Sequence, residues 1–96
     1  MTNNQQHPNI VLVFTDQMRA QASGFMGNSQ VQTPNLDRLA EEGILFENFY
    51  CNSPLCGPSR ASFITGKLPG NIGVYDNGTE LKATIPTYMH HLRRAG

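Results

Sequence analysis

The residues best suited to chemistry in this chain lie in one pentapeptide, which begins at Cys56 and ends at Arg60. Pro58 favours the first turn of a helix, so the sequence predicts Cys56 at a helix N-terminus. There, unpaired backbone N–H groups and the helix dipole favour an anion. Arg60 adds a planar, permanently charged donor suited to oxyanions. This arrangement predicts a reactive cysteine beside a site for a sulfate or phosphate group.

A carboxylate is the second candidate. Residues 9–14 form a continuous apolar run rich in β-branched side chains, which is typical of a strand buried on both faces of a parallel sheet. Asp16 follows directly after this run. In open α/β sheets, ligands bind at the carboxyl ends of the strands, so the position favours a functional role. A turn or capping role is the alternative for a lone aspartate.

The remaining pattern predicts three helices and a second strand. The helix signals are capping residues, an early proline and a closing glycine, together with an apolar stripe. The helices are predicted at residues 33–43, from the pentapeptide to Gly66, and at residues 86–95. The second strand is predicted at residues 44–50, and a glycine-rich loop is predicted at residues 67–82. This order predicts an α/β fold whose sheet is incomplete in this chain, as at the front of a larger domain.

Composition excludes several kinds of partner. Seven basic and seven acidic residues cancel among 96, so nothing favours nucleic acid or an anionic membrane surface. The polar tail at residues 1–8 lacks the features of a signal peptide, and the apolar run at 9–14 is too short to span a bilayer. We therefore expect a cytoplasmic protein with no membrane or nucleic-acid partner.

Three further residues could bind a metal, but the sequence favours other roles. Cys51 could form a disulfide or a metal site with Cys56; without a secretory signal, a free and buried Cys51 is favoured. His90 and His91 are adjacent on a predicted helix and therefore point in different directions. They are predicted to lie on a solvated face.

The pentapeptide, together with Thr65 and Gly66, resembles the sulfatase signature, C-x-P-S-R followed by four residues and T-G. It departs from the cysteine phosphatase pattern, which places five residues between cysteine and arginine, because only three intervene here. The resemblance implies the alkaline-phosphatase-like α/β fold with a mostly parallel sheet. It also implies that a formylglycine-generating enzyme oxidises Cys56 to formylglycine, whose hydrated aldehyde attacks the sulfur of a sulfate ester.

The same resemblance assigns the site residues. Cys56 and Arg60 are the implied catalytic residues, and Asp16 and the group derived from Cys56 are the implied ligands of a divalent metal. Calcium is the expected metal, with magnesium or manganese as alternatives. Many sulfatases have a second aspartate where this chain has Gln17, to which we assign a structural role. Asn77 is implied to lie near the bound ester; the alternative is a turn asparagine.

Several segments resemble choline sulfatases in particular: Asp16-Gln17, residues 50–63, Leu68-Pro69, Ile72-Gly73 and residues 75–77. The implied substrate is a small sulfate ester such as choline sulfate. A phosphonate or phosphate ester hydrolase of the same superfamily and a non-catalytic, truncated remnant are the alternatives. Residues 9–96 correspond to the N-terminal segment of a sulfatase catalytic domain, either a fragment or a truncated gene product. We expect this segment to be inactive alone.

Overall fold

The structure, a computed structural model, describes residues 8–96, so most of the predicted polar tail lies outside the described residues. The chain divides into two compact units, Met1–Asn48 and Phe49–Gly96. The helices are α1 (Pro34–Glu42) in the first unit and α2 (Cys56–Thr65), α3 (Pro69–Ile72) and α4 (Tyr88–Ala95) in the second. Two short 3-10 turns, Ala20–Ala22 and Gly24–Met26, precede α1. Across residues 8–96, every helix is too short or too polar to cross a bilayer.

The two predicted strands are wrong for this structure. Residues 9–14 and 44–50 are irregular, and residues 8–96 contain no strand. Their apolar side chains are largely exposed, as Val11 and Ile44 show at 84% each. A strand is stabilised by hydrogen bonds to a neighbour, and the part of the chain described here provides no neighbouring strand.

Helix α1 forms where its signals predict it. Thr33 precedes it, Pro34 is its first residue, and Gly43 follows it with its N–H bonded to the Leu39 carbonyl at 3.0 Å. The apolar stripe expected to pack on the sheet is exposed, with Leu39 at 65%. The helix therefore forms where its local signals lie, although the described residues of the first unit leave Leu39 of its apolar stripe exposed.

A hydrogen-bond network joins α1 to the second 3-10 turn. The Thr33 hydroxyl donates to Oδ1 of Asp37 and accepts the N–H of Gly24, both at 2.8 Å. The same Asp37 oxygen accepts the N–H of Phe25 at 2.8 Å. A Cβ on Gly24 would lie 2.6 Å from Oδ2 of Asp37, so a side chain there would displace the Asp37 carboxylate. Thr33 thus ties the turn to α1 and does not cap its own helix through its side chain.

Helix α2 ends as the signature predicts. Gly66 adopts the left-handed conformation at φ 66°, and its N–H bonds to the Ser62 carbonyl at 2.8 Å. Glycine favours this conformation because it has no Cβ. The Thr65 hydroxyl donates to the Ala61 carbonyl at 2.7 Å. The Thr-Gly pair of the signature is therefore the C-terminal cap of α2.

Helix α3 was missed, because residues 67–82 were predicted to be a loop. Pro69 is the first residue of this four-residue helix, and Gly73 closes it in the left-handed conformation at φ 70°. Proline at the start and glycine at the end are ordinary helix signals, but four residues are too few to show an apolar stripe.

Helix α4 begins two residues later than predicted, at Tyr88 instead of Pro86. Thr87, which is buried, precedes it and donates its N–H to Nδ1 of His90 at 3.1 Å. His90 is exposed, as predicted, yet it also caps the helix. The helix therefore starts after Thr87, where this hydrogen bond to His90 caps it, and not at the proline.

The core of the second unit is small. Its buried apolar residues are Ala61, Ile72 and Val74, with Leu81 and Ile85 packed against them. Phe63 of α2 meets Tyr88 of α4 edge to face, with ring centroids 6.4 Å apart. These contacts hold α2, α3 and α4 together around the segment that carries Cys56.

Candidate active site

Cys56 is the first residue of α2, as the sequence predicts, and it is exposed as a free thiol. Pro58, two residues on, is less than 2% exposed and anchors the first turn in the second unit. Arg60 is exposed and lies four residues after Cys56 on the same helix. Residues four apart share a helix face, so the thiol and the guanidinium project from the same side of α2.

The backbone donors at the start of α2 are largely used within the protein. Gly57 donates its N–H to Oδ1 of Asn77 at 2.7 Å, and Ser59 donates to the Leu55 carbonyl at 3.0 Å. Pro58 has no N–H. These three positions therefore offer no backbone N–H to an anion, contrary to the expectation from the helix terminus alone.

Asn77 lies against this first turn. A Cβ built on Gly57 would lie 3.0 Å from Oδ1 of Asn77 and 3.1 Å from both its Cα and the Asp76 carbonyl oxygen. Gly57 occupies the variable position of the signature, so sequence reasoning passed over it. The structure shows that this position lies in close contact with the loop bearing Asn77.

Asn77 lies in a turn before Gly78, as its alternative role predicted, and the Asp76 side chain stabilises that turn. Its Oδ1 accepts the Thr79 hydroxyl at 2.7 Å and the Gly78 N–H at 2.9 Å. The Thr79 hydroxyl, and then the Gly78 N–H, hold the pKa of Asp76 below its ordinary value of 3.8. The sequence Asp-Asn-Gly-Thr is a turn signature that could have identified this aspartate.

The 76–79 turn is expected to loosen in acid. Because the pKa of Asp76 is lower in the folded chain, its stabilising effect is present above the unfolded pKa and is lost as the pH falls through the folded pKa. Amide hydrogen exchange of Gly78 should accelerate, relative to the intrinsic rate, as the pH falls below 3.8. Asp76→Asn should abolish this dependence, and Glu80→Gln, in the same loop, should leave it unchanged. A dependence that persists in Asp76→Asn would contradict the assignment.

Asp16 lies in the first unit and is exposed, and Gln17 follows it in the left-handed conformation at φ 53°. Cys56 lies in the second unit. Among the described residues, no three His, Cys, Asp or Glu side chains form a group that could hold a metal ion. Calcium takes about six to eight oxygen ligands, so these residues do not by themselves fit a complete metal site.

Cys51 is exposed, whereas the sequence favoured a buried residue. It is a free thiol, as expected, and so is Cys56. In the segment before α2, Nδ2 of the exposed Asn52 donates to Oγ of buried Ser62 at 2.7 Å.

Comparison with known proteins decides the family. The sulfatase family profile matches residues 8–96, which include Asp16, the whole signature and Asn77. The chain belongs to the sulfatase family. The resemblance drawn from the signature is therefore confirmed over nearly the whole sequence.

Several sulfatases are similar to this chain. A choline-sulfatase of Rhizobium meliloti (strain 1021) is 46% identical over 89 residues, which cover 93% of this chain and 17% of that protein. An N-acetylgalactosamine-6-sulfatase of Sus scrofa is 46% identical over 87 residues, which cover 90% of this chain and 17% of that protein. An N-acetylglucosamine-6-O-sulfatase of Bacteroides thetaiotaomicron is 42% identical over 89 residues, covering 93% and 16%. The chain thus spans 16–17% of the length of these relatives.

Proposed function

We propose that this chain is the segment of a sulfuric ester hydrolase that carries the catalytic nucleophile, a formylglycine made from Cys56. The observation that carries the proposal is the placement of Cys56, exposed at the first turn of α2 within the family signature. Arg60 follows one turn later, and Asn77 contacts the intervening glycine. A reacting group here would be open to a substrate and flanked by hydrogen-bond donors.

The chemistry follows from the hydrated aldehyde. One hydroxyl oxygen loses its proton and forms a bond to the ester sulfur, while the S–O bond to the alcohol breaks. The alcohol leaves after its oxygen takes up a proton, and a sulfated intermediate remains. The second hydroxyl then loses its proton, the C–O bond to sulfate breaks, and the aldehyde is restored. Serine could make the first bond but has no second hydroxyl for the release. The guanidinium of Arg60 is suited to balancing the negative charge on the transferred group.

We propose Asp16 and the group derived from Cys56 as ligands of a divalent metal in this hydrolase, with calcium as the first candidate and magnesium or manganese as alternatives. The support is the carboxylate at Asp16, which suits a hard cation. When bound, such a metal supplies Lewis-acid stabilisation of developing charge. Further ligands are required beyond those that residues 8–96 provide. We also propose that the fold contains a mostly parallel sheet.

For the substrate, we propose a small ester such as choline sulfate. The support is the Asp16-Gln17 pair, since the identity of 46% to a choline-sulfatase is equalled by that to an N-acetylgalactosamine-6-sulfatase. A phosphonate or phosphate ester is the second candidate, because donors such as Arg60 and Asn77 suit either tetrahedral oxyanion. The non-catalytic remnant is the third, and the small core of the second unit is the observation that favours it.

Conversion of Cys56 tests the proposal. When the chain is produced together with a formylglycine-generating enzyme, its intact mass should fall by about 18 Da, whereas ordinary thiol oxidation adds oxygen and raises the mass. Cys56→Ala should show no such loss, and Cys51→Ala should be converted like the unchanged chain. An unchanged mass, obtained while a control sulfatase is converted in the same cells, would contradict the proposal.

The converted chain can then be assayed on choline sulfate and choline phosphate in the presence of calcium. We expect no release of sulfate or phosphate, because the described residues lack a complete metal site. Sulfate release that requires both calcium and Cys56 would show that the segment suffices for catalysis. Phosphate release alone would favour the second candidate.

A further inference from the structure

We propose that Asn77 is a positioning residue for Cys56, which acts through the backbone N–H of Gly57. The inference rests on the proposed function only in taking Cys56 as the reacting residue. Its structural basis is the hydrogen bond from Gly57 to Oδ1 of Asn77, at 2.7 Å, which spans twenty positions of sequence. The bond involves the residue next to Cys56, so it fixes the turn from which the reacting side chain projects.

The contact between Gly57 and the 76–77 segment leaves little space for a side chain at position 57. A Cβ on Gly57 would lie 3.1 Å from both the Asn77 Cα and the Asp76 carbonyl oxygen. Backbone atoms cannot rotate away as the end of a side chain can. A side chain at position 57 would therefore require the 76–77 segment to shift by a few tenths of an ångström.

The loop that presents Asn77 is anchored on both sides. Val74, three residues before it, is 1% exposed in the core of the second unit. After it, the Asp76 carboxylate binds the Gly78 N–H and the Thr79 hydroxyl and fixes the turn. Because the turn is made by Asp76, the carboxamide of Asn77 is left for Gly57.

The hydrogen bond to Gly57 also determines which hydrogen-bonding groups of the Asn77 side chain remain available. An N–H of the backbone requires an acceptor, so the carboxamide oxygen faces Gly57 and the NH₂ group faces away from it. The remaining hydrogen-bonding capacity of the side chain consists mainly of donors. A donor beside Cys56 suits an anion, and a carboxylate at position 77 would oppose one.

The test uses the full chain carrying Cys51→Ser, so that Cys56 is its one thiol. Amide hydrogen exchange of Gly57 and the alkylation rate of Cys56 are measured for Asn77→Ala and Asn77→Asp. Asn71→Ala, an exposed asparagine of the same unit, is the matched control. Neither readout depends on formylglycine or on ester hydrolysis, so a failure here is distinct from a failure of the proposed function.

We expect Asn77→Ala to accelerate Gly57 exchange by about fivefold, as for one lost hydrogen bond. Asn77→Asp should keep the protection, because a carboxylate oxygen still accepts the N–H, but it should slow alkylation severalfold, because its charge disfavours the thiolate. Asn71→Ala should change neither readout. A role limited to loop stability would not produce the charge effect of Asn77→Asp.

The proposal would be overturned by Gly57 exchange in Asn77→Ala equal to that in Asn71→Ala, or by loss of protection in Asn77→Asp. If Asn77→Ala loses its helical circular dichroism signal, Asn77→Asp decides, since it retains the acceptor. Equal alkylation rates in Asn77→Asp and the parent would likewise contradict the positioning of Asn77 beside Cys56.

Discussion

Replacing Ile72 by alanine is expected to remove about 2–5 kcal/mol from the free energy of unfolding of the second unit, Phe49–Gly96. Ile72 is 4% exposed and belongs to a core of three buried apolar residues. The alanine leaves a cavity that so small a core cannot fill. A domain of this size rarely gains more than about 3–5 kcal/mol from its core, so the variant should be largely unfolded at 25 °C.

Urea denaturation followed by circular dichroism measures this effect. Leu68→Ala, close by in sequence but at a side chain 57% exposed, is the matched control and should change stability little. If both variants unfolded at the same urea concentration, Ile72 would not belong to a cooperative core. The comparison also tests whether the segment around Cys56 can fold as a unit.

Gly57→Ala is expected to destabilise the second unit by about 1–3 kcal/mol, because its Cβ would collide with backbone atoms of Asp76 and Asn77. Alanine normally favours a helix over glycine, so the collision must outweigh a gain of about 1 kcal/mol. The loop must shift by a few tenths of an ångström, which lengthens the hydrogen bond between Gly57 and Asn77. The loss therefore combines steric strain with the separation of Asn77 from the turn that bears Cys56.

Gly70→Ala is the control for this prediction. A Cβ on Gly70 meets nothing within 4 Å, and its φ is not in the left-handed region. Alanine there should be neutral or stabilising by about 0.4–1 kcal/mol. Urea midpoints of the two variants should move in opposite directions, and a Gly57→Ala chain as stable as its parent would show that the loop is free to move.

The sequence predicted the elements that depend on local signals. Helix α1 begins at Pro34 and ends before Gly43, and α2 ends before Gly66, because proline and glycine act within one turn of their own position. Residues 9–14 were predicted as a strand from their composition, but a strand also needs a neighbour. No pattern within those residues can report whether the described chain provides one.

The residues of the candidate site, like the elements of the fold, were predicted where local signals determine them and not where long-range contacts do. Cys56 was predicted at the start of a helix because Pro58 favours the first turn, and it is the first residue of α2. The contact between Gly57 and Asn77 joins residues twenty positions apart, so only the family resemblance pointed to Asn77. Asp16 lies in the other unit, and its relation to the nucleophile depends on long-range structure that local signals do not encode.

The exposed run at residues 9–14 has a consequence for how this chain behaves in solution. It carries no charge and no proline, and its side chains from Ile10 to Phe14 are 48–84% exposed. Six-residue segments of this composition are those that stack between molecules into cross-β assemblies. Colloidal stability, more than catalytic chemistry, will therefore set the concentrations at which the thiol of Cys56 can be studied.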